Sequence, residues 1–280
     1  MNRSVSSRPR YPELLPVLLG LTAVALAAAE PAGHPVSPLT RAHAHNDYEH
    51  PRPLLDALDH GFCSVEADIH WVDGELLVAH DLHQTRPGRT LEALYLKPLR
   101  QRAQQHGGSI YAEPAPFTLL IDFKSDAQRT YTTLKPLLEA YRDILTEFRP
   151  DSTRTNAVIV ILSGNRPRDA VAAEPVRYAA IDGRLGDLST QVSVHLIPLV
   201  SDNWRSHFRW RGAGPLAAAE REKLAGIVRQ AHQQGRRIRF WAIPDTPEAW
   251  REMHRAGVDL INTDNLSGLR AFLSELPAED

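Results

Sequence analysis

Ala157-Val158-Ile159-Val160-Ile161-Leu162 is apolar at every position. A half-solvated antiparallel strand alternates apolar with polar residues. An unbroken apolar run instead marks a strand covered on both faces, as in a parallel sheet flanked by helices. Outward from this run, β-rich segments lie at 39–43, 62–69, 75–79, 118–123, 178–181, 193–200, 237–243 and 258–262. They alternate with helical patterns at 52–60, 90–105, 127–147, 215–235, 246–256 and 265–275. Helix 246–256 is the best marked: Asp245 or Thr246 caps it, Pro247 stands in its first turn and Gly257 ends it. Alternating strands and helices argue for a parallel sheet, and eight such units close a barrel. The expected fold is therefore α/β, a single TIM-type (β/α)8 barrel with room for irregularity. Nine strands are one too many for it. Val72-Asp73-Gly74-Glu75 is a hairpin signal, so 75–79 reads as a returning strand outside the barrel.

Two of the strands end in charged groups, Val65-Glu-Ala-Asp-Ile-His70 and Leu120-Ile-Asp-Phe-Lys124. Residues two apart on a strand share a face, so Glu66 points with Asp68 and Asp122 with Lys124. A buried carboxylate is costly unless it is paired or binds metal. Arg41-Ala-His-Ala-His-Asn-Asp47 adds His43 and His45 at the end of the first strand. The hairpin returns His80 to a position opposite residues 66–68. In a parallel barrel the catalytic groups gather at the C-terminal mouth. Carboxylate oxygens without thiolates suit one hard divalent cation, Mg²⁺ or Ca²⁺, held by Glu66, Asp68 and Asp122. Such an ion would neutralise phosphate charge, with Lys124 as a second positive point. Imidazoles titrate near neutral pH, so two histidines can serve as general base and general acid. The opening motif leaves two candidates for the first of them, His43 and His45.

These segments resemble the glycerophosphodiester phosphodiesterase and phosphatidylinositol-phospholipase-C-like superfamily. Its order of motifs is matched by His43, Glu66-Ala67-Asp68, Asp73-Gly74, His80-Asp81 and Asp122-Phe123-Lys124, and near the end by Gly257-Val258-Asp259 and Thr263-Asp264. The similarity spans about 40–275. The opening His-Ala-His-Asn-Asp-Tyr is most similar to the subgroup containing altered inheritance of mitochondria protein 6. Asp122, where typical members carry Glu, is shared with spider-venom phospholipases D. The resemblance implies a metal-dependent phosphoric diester hydrolase with His43 and His80 as the catalytic pair. It implies substrate contacts from Lys124, His45 and Trp241, the last at the end of Arg239-Phe-Trp-Ala242. It also implies attack by a substrate hydroxyl to give a cyclic phosphate. Glycerophosphodiester and phospholipid-type substrates fit it equally.

Composition narrows the partners. With 42% apolar and 24% charged residues in 280, the chain is of ordinary globular make-up. Net charge is −2; removing 1–29 takes away three arginines and one glutamate, leaving 29 basic against 33 acidic residues. No basic surplus points to nucleic acid, so any phosphate is bound locally. Arg3, Arg8 and Arg10, the uncharged stretch from Leu14 to Ala29, and Ala27-Ala28-Ala29 read as a signal peptide at 1–29. Residues 30–38 read as a linker and 39–280 as the barrel. The expectation is an exported, periplasmic or extracellular monomer acting on a small-molecule or lipid phosphodiester. Cys63 is the single cysteine, so no disulfide forms within the chain. Trp204, Phe208 and Trp210, interleaved with Arg205, Arg209 and Arg211, read either as a lip for transient membrane contact or as a half-buried loop.

Two rival readings remain. His43-Ala44-His45 with Asp264 fits a zinc-dependent amidohydrolase-type hydrolase, although the middle strands end in Ser163-Gly164 and Asp182 rather than histidine. A non-catalytic secreted binding barrel would keep the fold without the polar set.

Overall fold

The computed structural model describes Met1 and residues 36–276. The leader at 1–29 and most of the 30–38 linker lie outside the described residues. The strands are β1 (Leu39–Ala44), β2 (Phe62–Val72), β3 (Glu75–Val78), β4 (Phe117–Phe123), β5 (Glu147–Phe148), β6 (Thr153–Arg154), β7 (Val158–Gly164), β8 (Ala180–Gly183), β9 (Leu199–Asn203), β10 (Arg237–Trp241) and β11 (Ile261–Thr263). Eight of them run in the order β10-β9-β8-β7-β4-β2-β1-β11, every neighbour parallel. A parallel bridge between Arg239 and Leu260 brings the two ends together and closes a TIM-type barrel. β5 and β6 form a separate two-residue hairpin.

The extra strand is accounted for as expected. β3 pairs antiparallel with β2 alone, in the register Ile69–Val78 and Val72–Glu75. Asp73 and Gly74 both take positive φ, 48° and 89°, the geometry of a two-residue turn whose twist matches the strands. Val78 therefore ends beside Ile69, and the amide of Ala79 donates to the carbonyl of Asp68 at 3.2 Å.

Inside the barrel, Leu120, Ile161, Ala180, Leu199 and Leu260 pack with Phe148 as an apolar plug. Two residues further along their strands, the first four give way to Asp122, Ser163, Asp182 and Ser201. The period of two keeps these on the inner face and lifts them toward the mouth. The outer faces pack against the helices in one large core. The helix at Pro247–Ala256 has the expected ends: Thr246 accepts from the amide of Ala249, and Gly257 takes φ 81°.

Three expectations change. Residues 193–198 are not strand: the amides of Leu196 and Ile197 both donate to the carbonyl of Ser193, and β9 begins only after Pro198, which has no amide to give a ladder. The helix expected over 127–147 ends at Ala140. The aromatic lip is not a surface: Trp204, Phe208 and Trp210 are buried, with Trp204 stacked on Phe208 at 3.9 Å and both edge-on to Phe240. Of the two readings of that cluster, the half-buried loop is closer, and the basis for a membrane contact there is gone.

Asp47 anchors the loop after β1. Its Oδ2 accepts from the amide of Leu54 at 2.6 Å and from the hydroxyl of Tyr95 at 2.8 Å, while Oδ1 is buried without a partner. Burial pushes its carboxyl up to about 7, against the lowering effect of those two bonds. The folded state thus favours the neutral acid. The stability this group contributes is full below the unfolded value near 3.8 and is lost as pH rises through about 7. Asp47→Asn can keep both accepted bonds without the charge. The melting temperature of the variant should fall less than that of the wild type between pH 4 and pH 8, with each pH unit between the two values worth about 1.4 kcal/mol. Parallel melting profiles for the two proteins would contradict this account.

Candidate functional site

The C-terminal mouth holds a pocket of about 230 Å³ lined by His45, Asn46, Glu66, His80, Asp122, Lys124, Ser163, Arg184, Arg239 and Trp241. Its floor is acidic. One oxygen each from Glu66, Asp68 and Asp122 lies within 4.8 Å of the others. Asp68 and Asp122 are register partners on β2 and β4. Lys124 bridges them, with Nζ 3.0 Å from Asp68 Oδ2 and 3.1 Å from Asp122 Oδ1.

Each carboxylate has a different environment. Burial, the largest single influence, would raise Glu66, but the Arg239 guanidinium 2.7 Å away, the hydrogen bond to His43 and the nearby His45 together outweigh it and hold Glu66 well below the usual carboxylate range. Asp68 is pushed up to about 6, first by burial and then by the charge of Glu66. Burial also raises Asp122, with Lys124 opposing. The paired charges in turn raise Lys124 against its own burial. Asp68 Oδ2 is crowded by Lys124, by the Tyr48 hydroxyl at 2.7 Å and by His80 Nδ1 at 3.1 Å. Its other oxygen, Oδ1, is buried with no hydrogen-bond partner. A buried acceptor without a donor calls for a ligand, and three carboxylates without a sulfur donor fit a hard divalent cation.

The structure separates the two histidines of the opening motif. His43 is fully buried and does not line the pocket. Its Nδ1 meets Ser64 Oγ at 2.7 Å and its Nε2 faces Glu66 at 3.4 Å, with both ring nitrogens used inside the barrel wall. Burial, then Arg239, lowers it to about 3, so it stays neutral. His45 is the one on the pocket wall. Its Nδ1 lies 2.7 Å from Asp264 Oδ1. Burial works most strongly against its charge, but that hydrogen bond and the charges of Glu66 and Asp264 together outweigh it and the value rises above the usual 6.5. His80 is held in the same way, by Nδ1 against Asp68, and its carbonyl meets His70 Nε2 at 3.1 Å. His70 is therefore a buried support of the His80 turn rather than a solvated hairpin residue. Trp241 and Lys124 reach the pocket as expected. The expectation of His43 there is not met, because β1 places it one layer deeper than His45.

Arg239, Asn46, Tyr48 and Ser163 were missed in the sequence. For Arg239 a signal existed: it stands two residues before Trp241 in a buried strand, hence on the same face, and a buried carboxylate needs a counter-charge. For Tyr48 and Asn46 the signal was the opening motif His-Ala-His-Asn-Asp-Tyr that contains them, but they lie in an irregular loop where no period says which way they point.

This barrel, with carboxylates on its floor and two carboxylate-oriented histidines at its rim, is of the glycerophosphodiester phosphodiesterase type. Solved structures of glycerophosphodiester phosphodiesterases from Agrobacterium tumefaciens and Parabacteroides distasonis share the fold, with TM-scores of 0.51 and 0.52 at 17% and 14% identity. They cover 84% and 85% of this chain and 100% and 98% of their own. Residues 237–267 match the glycerophosphoryl diester phosphodiesterase family, and residues 34–181 match the AIM6-like phosphodiesterase domain. Altered inheritance of mitochondria protein 6 of Eremothecium gossypii is 32% identical over 273 residues, 84% of this chain and 69% of its own length. The Saccharomyces cerevisiae protein of the same name is 28% identical over 80% of this chain and 68% of its own. The chain belongs to the AIM6-like phosphodiesterase family.

Gly164 shows how tightly Asp122 is held. At φ +65° it ends β7, and a Cβ there would strike the Asp122 carboxylate and lie 2.6 Å from the carbonyl oxygen of Phe123. Gly164→Ala should cost on the order of 1–3 kcal/mol and displace Asp122. Calorimetric titration with Mg²⁺ and Ca²⁺ should show weakened binding. A variant with unchanged melting temperature and unchanged cation affinity would show that Asp122 is not so constrained.

Proposed function

We propose that the chain is a metal-assisted phosphoric diester hydrolase with His45 and His80 as its proton-transfer pair. The observation that carries this is the position of the two imidazoles. Both are held at Nδ1 by a carboxylate and line a pocket with Glu66 and Asp122, against which the buried Asp68 completes an acidic cluster. A carboxylate on one ring nitrogen fixes the tautomer and leaves Nε2 to exchange a proton with substrate. The amidohydrolase reading has less support, because His43 spends both nitrogens on Ser64 and Glu66 instead of sharing a ligand position with His45.

Glu66, Asp68 and Asp122 would hold the ion, Mg²⁺ or Ca²⁺, with the unpartnered Asp68 Oδ1 the clearest donor. When bound, it supplies charge neutralisation at the phosphate. The floor carries three negative groups against Lys124 and Arg239, so a divalent cation turns a net −1 into +1 and suits a phosphodiester monoanion. Lys124, between its carboxylates, is one of the two positive side chains in that sum. One imidazole takes the proton of the attacking hydroxyl, and the other gives a proton to the departing alkoxide. Asp264 and Asp68 stabilise the imidazolium formed at each. A glycerophosphodiester or phospholipid-type ester is the substrate class, and the chain acts as a monomer with no role for nucleic acid.

His45→Asn and His80→Asn should each lower kcat by on the order of 10²–10⁴, and each should remove one limb of a bell-shaped pH–rate profile. Activity should vanish in chelator and return with Mg²⁺ or Ca²⁺. His43→Asn should act mainly through stability, since His43 is fully buried and does not line the pocket. A silent His45→Asn beside an inactive, fully folded His43→Asn would overturn the assignment, and full activity of metal-free protein would overturn the metal.

We also propose that residues 1–29 are a cleaved export signal, on the strength of the arginines, apolar run and Ala27-Ala28-Ala29 of the sequence. N-terminal sequencing of the exported protein should begin near Glu30. Intact Met1 on membrane-bound protein would mean an anchor instead.

A further inference from the structure

We infer that Arg184 and Trp241 together select the alcohol of the phosphodiester, favouring an oxygen-rich head group such as a polyol over a quaternary ammonium. This deepens the hydrolase reading and rests on it. The Arg184 guanidinium carbon stands 4.9 Å from the centroid of the Trp241 ring, and both residues line the pocket. A cation over an indole face is how a site recognises a trimethylammonium group. Here the protein's own cation occupies that position.

Arg184 is fixed there. Its Nη1 donates to Asp182 Oδ2 at 2.7 Å and to the carbonyl of Gly183 at 2.8 Å. Asp182 is fully buried, and the hydroxyls of Ser163 and Ser201 donate to it at 2.7 and 2.5 Å. Every recorded hydrogen bond of the Arg184 side chain runs through Nη1. Among the described residues Nε and Nη2 have no hydrogen-bond partner, on a side chain one-third exposed at the pocket. A second guanidinium, Arg166, is near enough to feel the charge of Arg184, with Asp182 between them as the shared counter-charge.

Trp241 is the last residue of β10. Ala242 follows it at φ +56°, a left-handed turn that an L-residue adopts at a cost. A choline group would have to displace Arg184 from both the ring and Asp182, against like charge. Hydroxyl or anionic oxygens would instead accept from Nε and Nη2.

The test uses two diesters with the same glycerophosphate and different alcohols, glycerophosphoinositol and glycerophosphocholine. The full-length wild type should favour the inositol ester in kcat/KM on the order of 10-fold. Arg184→Gln bares the indole and should erase or reverse that ratio. Arg184→Lys keeps the charge beside Asp182 and should keep the discrimination against choline, which guards against a folding defect in the first variant. Calorimetric binding of inositol 1-phosphate and phosphocholine gives the same comparison without turnover. Selective inositol phosphate binding with neither diester hydrolysed would sink the hydrolase reading and leave this inference standing. A wild-type preference for choline, a ratio unmoved in folded Arg184→Gln, or no binding of either monoester would overturn it.

Discussion

The ion pair between Glu66 on β2 and Arg239 on β10 is the contact on which both the barrel and its mouth depend. Glu66 and Arg239 are almost wholly buried, so each would be costly without the other. Arg239 also donates through Nε to Asn262 of β11 at 2.9 Å. β10 and β11 meet through a single backbone bridge, so this seam is the thinnest part of the wall. One side chain therefore binds the seam to the opposite side of the barrel while neutralising the deepest carboxylate of the floor. The charge on Glu66 that this secures is the charge that presses Asp68 upward. Removing Arg239 would leave three crowded carboxylates facing only Lys124.

The two rim histidines follow from the same scarcity of buried charge. Asp68 spends Oδ2 on Lys124, Tyr48 and His80 and keeps Oδ1 free. The residue that orients one imidazole is thus also the one with an oxygen to offer the floor. Asp264 does the orienting alone for His45, from the loop after β11, where the side chain is more exposed. The site is therefore built from both ends of the chain: the N-terminal part supplies both imidazoles and Asp68, and the segment after β11 supplies Asp264.

Much of this was legible in the sequence, for a physical reason. The strand period of two is rigid, so Glu66 with Asp68 and Asp122 with Lys124 had to share faces, and Asp73-Gly74 had to return His80 toward them. The same period explains the ambiguity at His43 and His45. Residues two apart share a face, so alternation cannot say which is buried below the mouth and which stands at it; only the stagger of β1 against β2 and β11 decides. The segment 193–200 misled because its apolar residues imitate a strand while Pro198 and the Ser193 turn forbid one. The Trp204–Trp210 cluster misled because alternating aromatic and basic residues look amphipathic, whereas Trp204 and Phe208 pack edge-on to Phe240, and Trp210 edge-on to Trp204, so every ring is buried. Tyr48 reaches Asp68 through a loop, and loops have no period to read.

The division of labour around the mouth follows from which strands carry charge of which sign. β2 and β4 contribute carboxylates, so metal and proton chemistry collect on that side with β1. β7, β8 and β9 contribute Ser163, Asp182 and Ser201, which satisfy one another and fix Arg184. β10 then contributes Trp241 beside Arg184. The acidic side can hold a cation and the phosphate drawn to it, and the basic, aromatic side can only meet what is attached to that phosphate. In the proposed reading chemistry and selectivity sit on different sides of the mouth, linked through β10, which carries both Trp241 and Arg239, the partner of Glu66.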